Sequence, residues 1–112
     1  MKTEVRITKS FRKAIKPLLK KYASLIGELA ALESELIENP RFWTPLGDNS
    51  YKIRLKIKSK QKGKSGGFRV ITLLVEEDLE NMNIWLVDIY DKSEKEDIPK
   101  KVLQEYVKDI LL

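Results

Sequence analysis

Residues 51–58 alternate strictly between apolar and cationic side chains, and this alternation constrains the fold more than any other feature of the sequence. The apolar members are Tyr51, Ile53, Leu55 and Ile57, and the cations are Lys52, Arg54, Lys56 and Lys58. A period of two is that of a β-strand, so one face of the strand packs into a core while the other carries cations roughly 6.5 to 7 Å apart. The stretch therefore predicts a half-buried strand whose open face binds an anion.

A second predicted strand follows after a loop rich in Gly, Lys and Ser. Arg69 precedes the apolar run 70–75, which favours a strand. The loop between the two strands suggests a basic arm that contacts RNA, although a hairpin tip without function has the same composition. Nucleoside triphosphate binding is not indicated, because the Walker spacing and its following helix are missing. The candidate RNA-binding residues around this loop are Lys58, Lys60, Lys62 and Lys64.

Composition narrows the chemistry that such a strand pair can perform. The 112-residue chain has no cysteine and no histidine, which excludes disulfides, thiolate nucleophiles, imidazole catalysis and zinc sites built on Cys or His. Its net charge of +5 is uneven, since residues 1–24 and 41–72 are basic whereas 28–38 and 76–112 are acidic. Basic blocks of this kind point to a polyanion, nucleic acid first. We expect a single cytoplasmic domain over residues 1–112, without cofactor, metal or membrane span.

The N-terminal part predicts one strand and two helices. Alternation in TEVRIT fits a short first strand. Ser10 is the predicted N-cap of an amphipathic helix, and Pro17 inside the pattern should kink or split that helix. Ser24 can cap a second helix that Asn39 and Pro40 end. The two helices should form a hairpin on one face of a sheet.

Residues 41–50 contain Pro, Gly, Asp and Asn and are interpreted as a loop. We expect its Phe42, Trp43 and Leu46 to pack against the core. Stacking of Trp43 on a nucleic-acid base is the alternative interpretation.

The C-terminal part predicts a last strand and a last helix. Residues 84–90 form an apolar run that indicates a strand buried on both faces until Asp88. Asp97 and Pro99 provide the N-cap and first-turn signals of the helix, whose predicted apolar side consists of Val102, Leu103, Tyr106, Val107, Ile110 and Leu111. Short connections between the last three strands favour an antiparallel meander. The predicted fold is α+β, with a small antiparallel four-stranded sheet packed by an N-terminal helical hairpin and a C-terminal helix.

Several segments together resemble the RelE/ParE superfamily of toxin–antitoxin toxins, in its RelE/HigB-like branch. They are SFRKAIKPLLKKY, TPLG, YKIRLKI, KGKSGGFRV and DIYDKSE, and they span nearly the whole chain. The resemblance implies the RelE-like fold and the toxin of a type II toxin–antitoxin system. It further implies a ribosome-dependent mRNA endoribonuclease that occupies the decoding site, cuts mRNA, inhibits translation and is silenced by a cognate antitoxin.

The resemblance also assigns candidate catalytic residues. It places two cations of the alternating strand and Arg69 in the active site, with a leaving-group cation just past the last strand and a tyrosine beside it. Lys56 is the third basic position along the same strand face. The full set is Lys52, Arg54, Lys56, Arg69, Tyr90 and Lys92. The tyrosine that RelE toxins carry a few residues beyond the last strand is missing, since that region reads EKEDIP. The histidines of HigB-like relatives are missing as well.

The reaction that the resemblance implies is attack of a ribose 2′-hydroxyl on the adjacent phosphorus. It requires removal of a proton, stabilisation of a charged phosphorane and delivery of a proton to the 5′-oxygen. Arg54 and Arg69 suit the phosphorane because a guanidinium is always charged and can bind two oxygens.

The two proton transfers have several candidate groups. Lys52 or Lys56 is the candidate base. Tyr90 or Lys92 could assist at the other proton. Asp88 lies two residues before Tyr90 and could orient a cation or act as base itself.

Two other functions are compatible with the same residues. A ParE-like inhibitor of DNA gyrase has the same fold and binds a protein without cutting RNA, although the basic strand pair argues against it. A non-catalytic RNA-binding member of the fold is favoured by the missing tyrosine. The cationic strand face could also be no more than a solvated edge.

Overall fold

The computed structural model describes residues 2–58, 67–94 and 98–111. Five strands form one sheet with the order β1-β5-β4-β3-β2, and three helices pack on its two faces. The fold is α+β as predicted. The elements in chain order are β1 (Lys2–Ile7), α1 (Lys9–Lys21), α2 (Leu25–Glu38), β2 (Thr44–Gly47), β3 (Ser50–Leu55), β4 (Phe68–Glu76), β5 (Asn81–Asp91) and α3 (Lys100–Leu111).

The predicted number of strands is wrong because β2 lies inside the stretch interpreted as a loop. β2 pairs antiparallel with β3 across a turn at Asp48 and Asn49, whose φ angles are +53° and +61°. Asp and Asn tolerate this left-handed conformation, which two-residue hairpin turns require. This strand was not predicted because it contains Pro45. Its missing N–H is accommodated because β2 lies at the edge of the sheet.

The purely antiparallel arrangement is also wrong, because β1 pairs parallel to β5. Val5 lies opposite Ile84 in this pair. Parallel neighbours need a long crossover connection. Here that connection contains α1, α2 and the three strands that follow them, so short-range strand patterns gave no sign of it.

The helical hairpin packs on one face of the sheet, which we call the hairpin face, as predicted. Apolar residues of α1, α2 and alternate sheet positions form its core. The buried members are Phe11, Ile15, Leu25, Leu32, Leu36, Ile53, Leu55, Ile57, Phe68, Val70, Leu74, Met82, Ile84, Leu86 and Ile89.

The helix ends differ in detail from the predicted ones. Thr8, and not Ser10, caps α1, because its hydroxyl oxygen accepts the Phe11 N–H at 3.0 Å. Pro17 lies within one continuous helix, so the predicted split is wrong. Pro17 is exposed, and water can therefore bind the Lys13 carbonyl that the proline ring leaves without a donor.

The second helix starts and ends where the sequence indicates. Ser24 precedes α2, but its hydroxyl donates to the Glu28 carboxylate at 3.0 Å and does not cap the helix backbone. Asn39 is the C-cap. After it, Trp43 packs partly buried against the hairpin-face core, whereas Phe42 is 74% exposed, so the predicted packing is wrong for Phe42.

The third helix covers the opposite face of the sheet, which we call the α3 face. Its contacts form a second, smaller core, to which Leu46 also packs as predicted. The predicted N-cap Asp97 lies outside the described residues. The Pro99 carbonyl accepts the N–H groups of Val102 and Leu103 and so opens the helix. The buried members of this core are Ile71, Leu73, Val87, Tyr90 and Leu103. Among the described helices, none is long and apolar enough to cross a membrane.

A β-bulge interrupts the pairing of β4 with β5. Ile71 lies opposite Asp88, but the next residue, Thr72, lies opposite Leu86, so Val87 is the extra residue. Val87 packs in the α3-face core, and the Asp88 carboxylate contacts α3. The bulge thus turns two successive side chains toward the same face. After it, the alternation of β5 side chains between the two faces of the sheet is shifted by one residue. Asp88 and Tyr90 are themselves buried, at 9% and 5% exposed, which extends burial beyond the predicted limit.

Candidate active site

The register of the central strands places three predicted site residues in one line on the α3 face. Arg54 of β3 lies opposite Arg69 of β4, and Arg69 lies opposite Tyr90 of β5. Directly opposed residues in antiparallel strands share a face, with Cβ atoms about 4.5 to 5.5 Å apart. We call Arg54, Arg69 and Tyr90 the basic row.

A second line runs parallel to the basic row, two residues along each strand. Lys52 lies opposite Ile71, which lies opposite Asp88. Two residues of strand correspond to roughly 7 Å, so Lys52 is within reach of the same anion as Arg54. The alternation in the sequence correctly placed Lys52 and Arg54 on one face. The register then adds Arg69 to that face.

The two arginines differ in their exposure to solvent. Arg54 is exposed, whereas Arg69 is 6% exposed and donates from its guanidinium to the Phe68 carbonyl at 3.3 Å. Like charges placed directly opposite each other destabilise a sheet. An anion between the two guanidinium groups would remove this repulsion and accept hydrogen bonds from both. The opposed arginines therefore cost the sheet some stability, which a bound anion would offset.

Tyr90 and Lys92 approach the row from the last strand. Tyr90 is buried and packs in the core beneath α3. Lys92 is half-buried, and its backbone N–H donates to the Gly67 carbonyl at 3.3 Å. This bond joins the end of β5 to the start of β4, so Lys92 lies at the same end of the sheet as Arg69.

Gly67 is required for the strands to approach at this end. Its φ is +76°, and a Cβ there would collide with the Leu55 carbonyl oxygen and lie 3.2 Å from the Cα of Lys56. Lys56 follows β3 directly, and its side chain is exposed next to the place where Gly67 approaches the backbone of β3. A glycine therefore permits the close packing of β3 on β4 that sets Arg54 against Arg69.

The predicted RNA-binding lysines are only partly described. Lys58 is exposed, and its backbone N–H donates to the Glu28 carboxylate at 2.7 Å, which ties the end of the alternating stretch to α2. Lys60, Lys62 and Lys64 lie outside the described residues.

Asp88 connects the sheet to α3 through Tyr106, a residue that sequence analysis assigned only to the apolar side of the last helix. The Tyr106 hydroxyl donates to Asp88 Oδ2 at 2.8 Å, and the Ile89 N–H donates to Asp88 Oδ1 at 2.8 Å. Burial, and then the hydrogen bond to Asp88, raise the pKa of Tyr106. The phenol is therefore a neutral donor at ordinary pH.

A signal for this contact was available in the sequence. A carboxylate in an otherwise apolar strand needs a donor when it is buried, and Tyr106 is the polar-tipped member of the apolar side of α3. The contact places the Tyr106 phenol beside Asp88, which lies two residues along β5 from Tyr90 of the basic row. Because both Asp88 oxygens accept hydrogen bonds, Asp88 is better suited to positioning than to proton abstraction.

Two clefts in the described part of the chain are lined by residues other than those of the basic row. One, of about 550 Å³, lies at the junction of β1 with α1 and is also lined by Trp85, Tyr106 and Asp109. On the α3 face, Arg54 is exposed, whereas Arg69 and Tyr90 are buried. We therefore identify the candidate site by its charge and register.

Comparison with known proteins finds similarity in fold. The chain is similar to a mutant of the E. coli toxin RelE solved in the free state, with a TM-score of 0.61 and 21% sequence identity over 99% of this chain and 100% of that one. No family model and no curated protein sequence matches the chain. The predicted RelE-like fold is thus confirmed.

Proposed function

We propose that this protein is the toxin of a type II toxin–antitoxin system, of the RelE/HigB-like kind, and that it cuts messenger RNA in the decoding site of the ribosome. The observation that carries the proposal is the basic row. Two arginines, Arg54 exposed and Arg69 buried, lie directly opposite each other on the α3 face, with Lys52 one residue pair away. The RelE-like fold supports the same function.

The proposed reaction needs no metal. The 2′-oxygen attacks the adjacent phosphorus and loses its proton to a base, the bond from phosphorus to the 5′-oxygen breaks, and the 5′-oxygen gains a proton. A 2′,3′-cyclic phosphate and a 5′-hydroxyl result. Arg54 and Arg69 stabilise the phosphorane, since both can donate two hydrogen bonds to its oxygens.

The proton transfers fall to Lys52, which lies on the α3 face, and to Lys56 and Lys92, which follow the ends of β3 and β5. Lys52 or Lys56, as the neutral amine, receives the proton of the 2′-hydroxyl and becomes an ammonium, and the ammonium of Lys92 delivers a proton to the leaving oxygen. Tyr90, enclosed beside Arg69, positions that guanidinium.

The partners follow from this site. The substrate is mRNA presented by the ribosome in the cytoplasm, and a cognate antitoxin neutralises the cationic face when the toxin is silent. Lys58, Lys60, Lys62 and Lys64 contribute further phosphate contacts.

The experiment that tests the proposal is induction of the protein in bacterial cells, followed by primer extension on abundant transcripts. We expect growth arrest with new mRNA ends, and loss of both in the variants Arg54→Ala and Arg69→Ala. Lys100→Ala, an exposed cation on α3, is the matched control and should keep full toxicity.

Other outcomes identify the competing functions. Growth arrest with intact transcripts and accumulated DNA double-strand breaks would indicate a gyrase inhibitor of the ParE kind. Harmless expression, together with salt-sensitive RNA binding, would indicate a non-catalytic RNA-binding protein.

A further inference from the structure

A second cationic surface covers the outer side of α1, far from the basic row. All six Lys and Arg residues of the helix are exposed, and the helix contains no acidic residue. We call these residues the α1 basic face: Lys9, Arg12, Lys13, Lys16, Lys20 and Lys21. Four of them follow the spacing i, i+4, i+7, i+11, which makes one stripe about 17 Å long at 1.5 Å per residue.

Within the described part of the chain, no carboxylate forms an ion pair with this face. Between described residues, the ion pairs involve Lys2, Arg6 and Arg41, and none includes a cation of α1. The neighbouring helix α2 carries four glutamates and no cation, yet none of them pairs with α1. Lys21 alone has a local contact, 5.4 Å above the Tyr22 ring.

Helix stability does not account for this placement. Cations in the first turns, such as Lys9 and Arg12, oppose the helix dipole at about 0.3 to 1 kcal/mol each. Like charges four residues apart, as at Lys9 with Lys13 and Lys16 with Lys20, destabilise a helix by about 0.2 to 0.5 kcal/mol per pair. Only the cations of the last turn favour the helix. The sequence thus keeps this charge against the local electrostatics of the helix.

The position of α1 separates this face from the basic row. Phe11 and Ile15 pack α1 onto the hairpin face, whereas the basic row lies on the α3 face. A strand of RNA bound at the basic row therefore meets the other side of the sheet. Whatever binds α1 is a different segment or a different molecule.

We propose that the α1 basic face binds the phosphate backbone of double-helical RNA, and, given the proposed function, that this RNA is ribosomal. Exposed positions of α1 include no aromatic side chain on which a base could stack, and stacking is the usual means of binding single strands. Double-helical RNA is recognised mainly through its backbone and shape. The protein thus holds its substrate strand on one face of the sheet and docks through the other.

The test compares two triple variants of equal charge. One is Lys13→Ala/Lys16→Ala/Lys20→Ala on α1, and the control is Lys100→Ala/Lys101→Ala/Lys108→Ala on α3, where the lysines are also exposed. The probe is a short RNA hairpin with 2′-O-methyl riboses, which cannot attack its own phosphates. Affinity is measured as a function of salt.

We expect the α1 variant to reduce the magnitude of the log–log salt slope by about 2 to 3, since each lost phosphate contact contributes about 0.7 to 0.9. The control should change it by less than about 1. The melting temperature of the α1 variant should not fall, because alanine is the best helix former and the repulsion is removed.

An unchanged slope for the α1 variant, or an equal loss in the control, would overturn the proposal. Retained hairpin binding with lost binding of an acidic polypeptide would show instead a protein-docking surface. Binding to purified small ribosomal subunits tests the ribosomal assignment, which fails if the α1 variant binds them normally. None of these measurements depends on RNA cleavage. They therefore test RNA binding by the α1 basic face even if the protein proves not to be an endonuclease.

Discussion

The two faces of the central strands differ in what they bury. On the hairpin face the buried residues of β3, β4 and β5 are apolar apart from Thr72. Of the five buried polar or charged residues in the described part of the chain, the other four lie on the α3 face. They are Ser50, Arg69, Asn83 and Asp88. The hairpin face therefore buries almost only apolar groups, whereas the α3 face combines a smaller apolar core with buried polar groups.

The comparison is tested first at two adjacent residues that point to opposite faces. Phe68 is fully buried on the hairpin face and contacts the Tyr22 ring edge-on at 5.5 Å. We expect Phe68→Ala to lower the free energy of unfolding by about 3 to 5 kcal/mol through lost burial and an unfilled cavity. Denaturant titration measures this. A loss below about 1 kcal/mol would mean that the hairpin face is not the stabilising one.

Arg69→Ala changes the next residue along the strand and should act on activity. Losing a phosphorane donor should reduce cleavage by about 100-fold or more, equivalent to roughly 2.7 kcal/mol of transition-state stabilisation. Stability should change much less than in Phe68→Ala, because repulsion from Arg54 is removed together with the packing of the side chain. The readout is the yield of cut mRNA at matched protein levels.

A control for Arg69→Ala is Arg41→Ala, which removes an exposed arginine paired with Glu76 at 3.2 Å. Exposed ion pairs contribute about 0 to 1 kcal/mol, so both activity and stability should stay near those of the unchanged protein. If the two variants lose the same activity, the effect is one of net charge and not of the basic row.

Tyr106→Phe should cost stability on the α3 face by removing the hydroxyl that donates to Oδ2 of the buried Asp88 carboxylate. We expect a loss of about 1 to 3 kcal/mol in the free energy of unfolding at neutral pH. Because the fold raises the pKa of Tyr106, its contribution is fully present below the ordinary phenol pKa of about 10. It is lost as the pH rises above that value, since the unfolded phenol then releases its proton before the folded one does.

Denaturant titration at several pH values between neutral and alkaline separates this effect from other groups. The stability of the unchanged protein should fall more steeply above pH 10 than that of Tyr106→Phe. Parallel curves would show that the Asp88 contact does not depend on the phenol proton.

Thr72→Val is the smallest change and tests the one polar exception on the hairpin face. The Thr72 side chain is fully buried, and its hydroxyl has no hydrogen-bond partner among the residues that the structure describes. Valine has a similar shape and no polar group to desolvate. We therefore expect stability to rise by about 1 kcal/mol, seen as a higher denaturant midpoint with an unchanged slope. A decrease would mean that the hydroxyl binds water in the folded protein.

Sequence periodicity was sufficient to assign the two faces but not the register. The alternation around Ile53 predicted which side Lys52 and Arg54 occupy, and the structure confirms it. The pairing of Arg54 with Arg69 depends on how two strands meet across a long connection and on the close approach at Gly67. Such contacts depend on residues distant in sequence, which a local pattern does not contain.

The errors have similar physical causes. The edge strand β2 was not predicted because it contains a proline, and prolines are compatible with strands only where no ladder hydrogen bond is needed. The bulge at Val87 shifts the alternation of β5 side chains by one residue, and no unusual residue in the sequence marks its position. Tyr106 was interpreted as core because a phenol on an amphipathic helix has the same spacing whether or not its hydroxyl has a partner.

The pairing of the first strand with the last described one has a consequence for the order of folding. During synthesis β1 emerges first, but its neighbour β5 is complete only after residue 91 has been made. At about 5 to 20 residues per second, the first strand and the apolar side of α1 wait for several seconds without their partner. Long-range pairing of this kind also slows folding. Since Tyr90 belongs to β5, the basic row is incomplete in a nascent chain until that strand has been made.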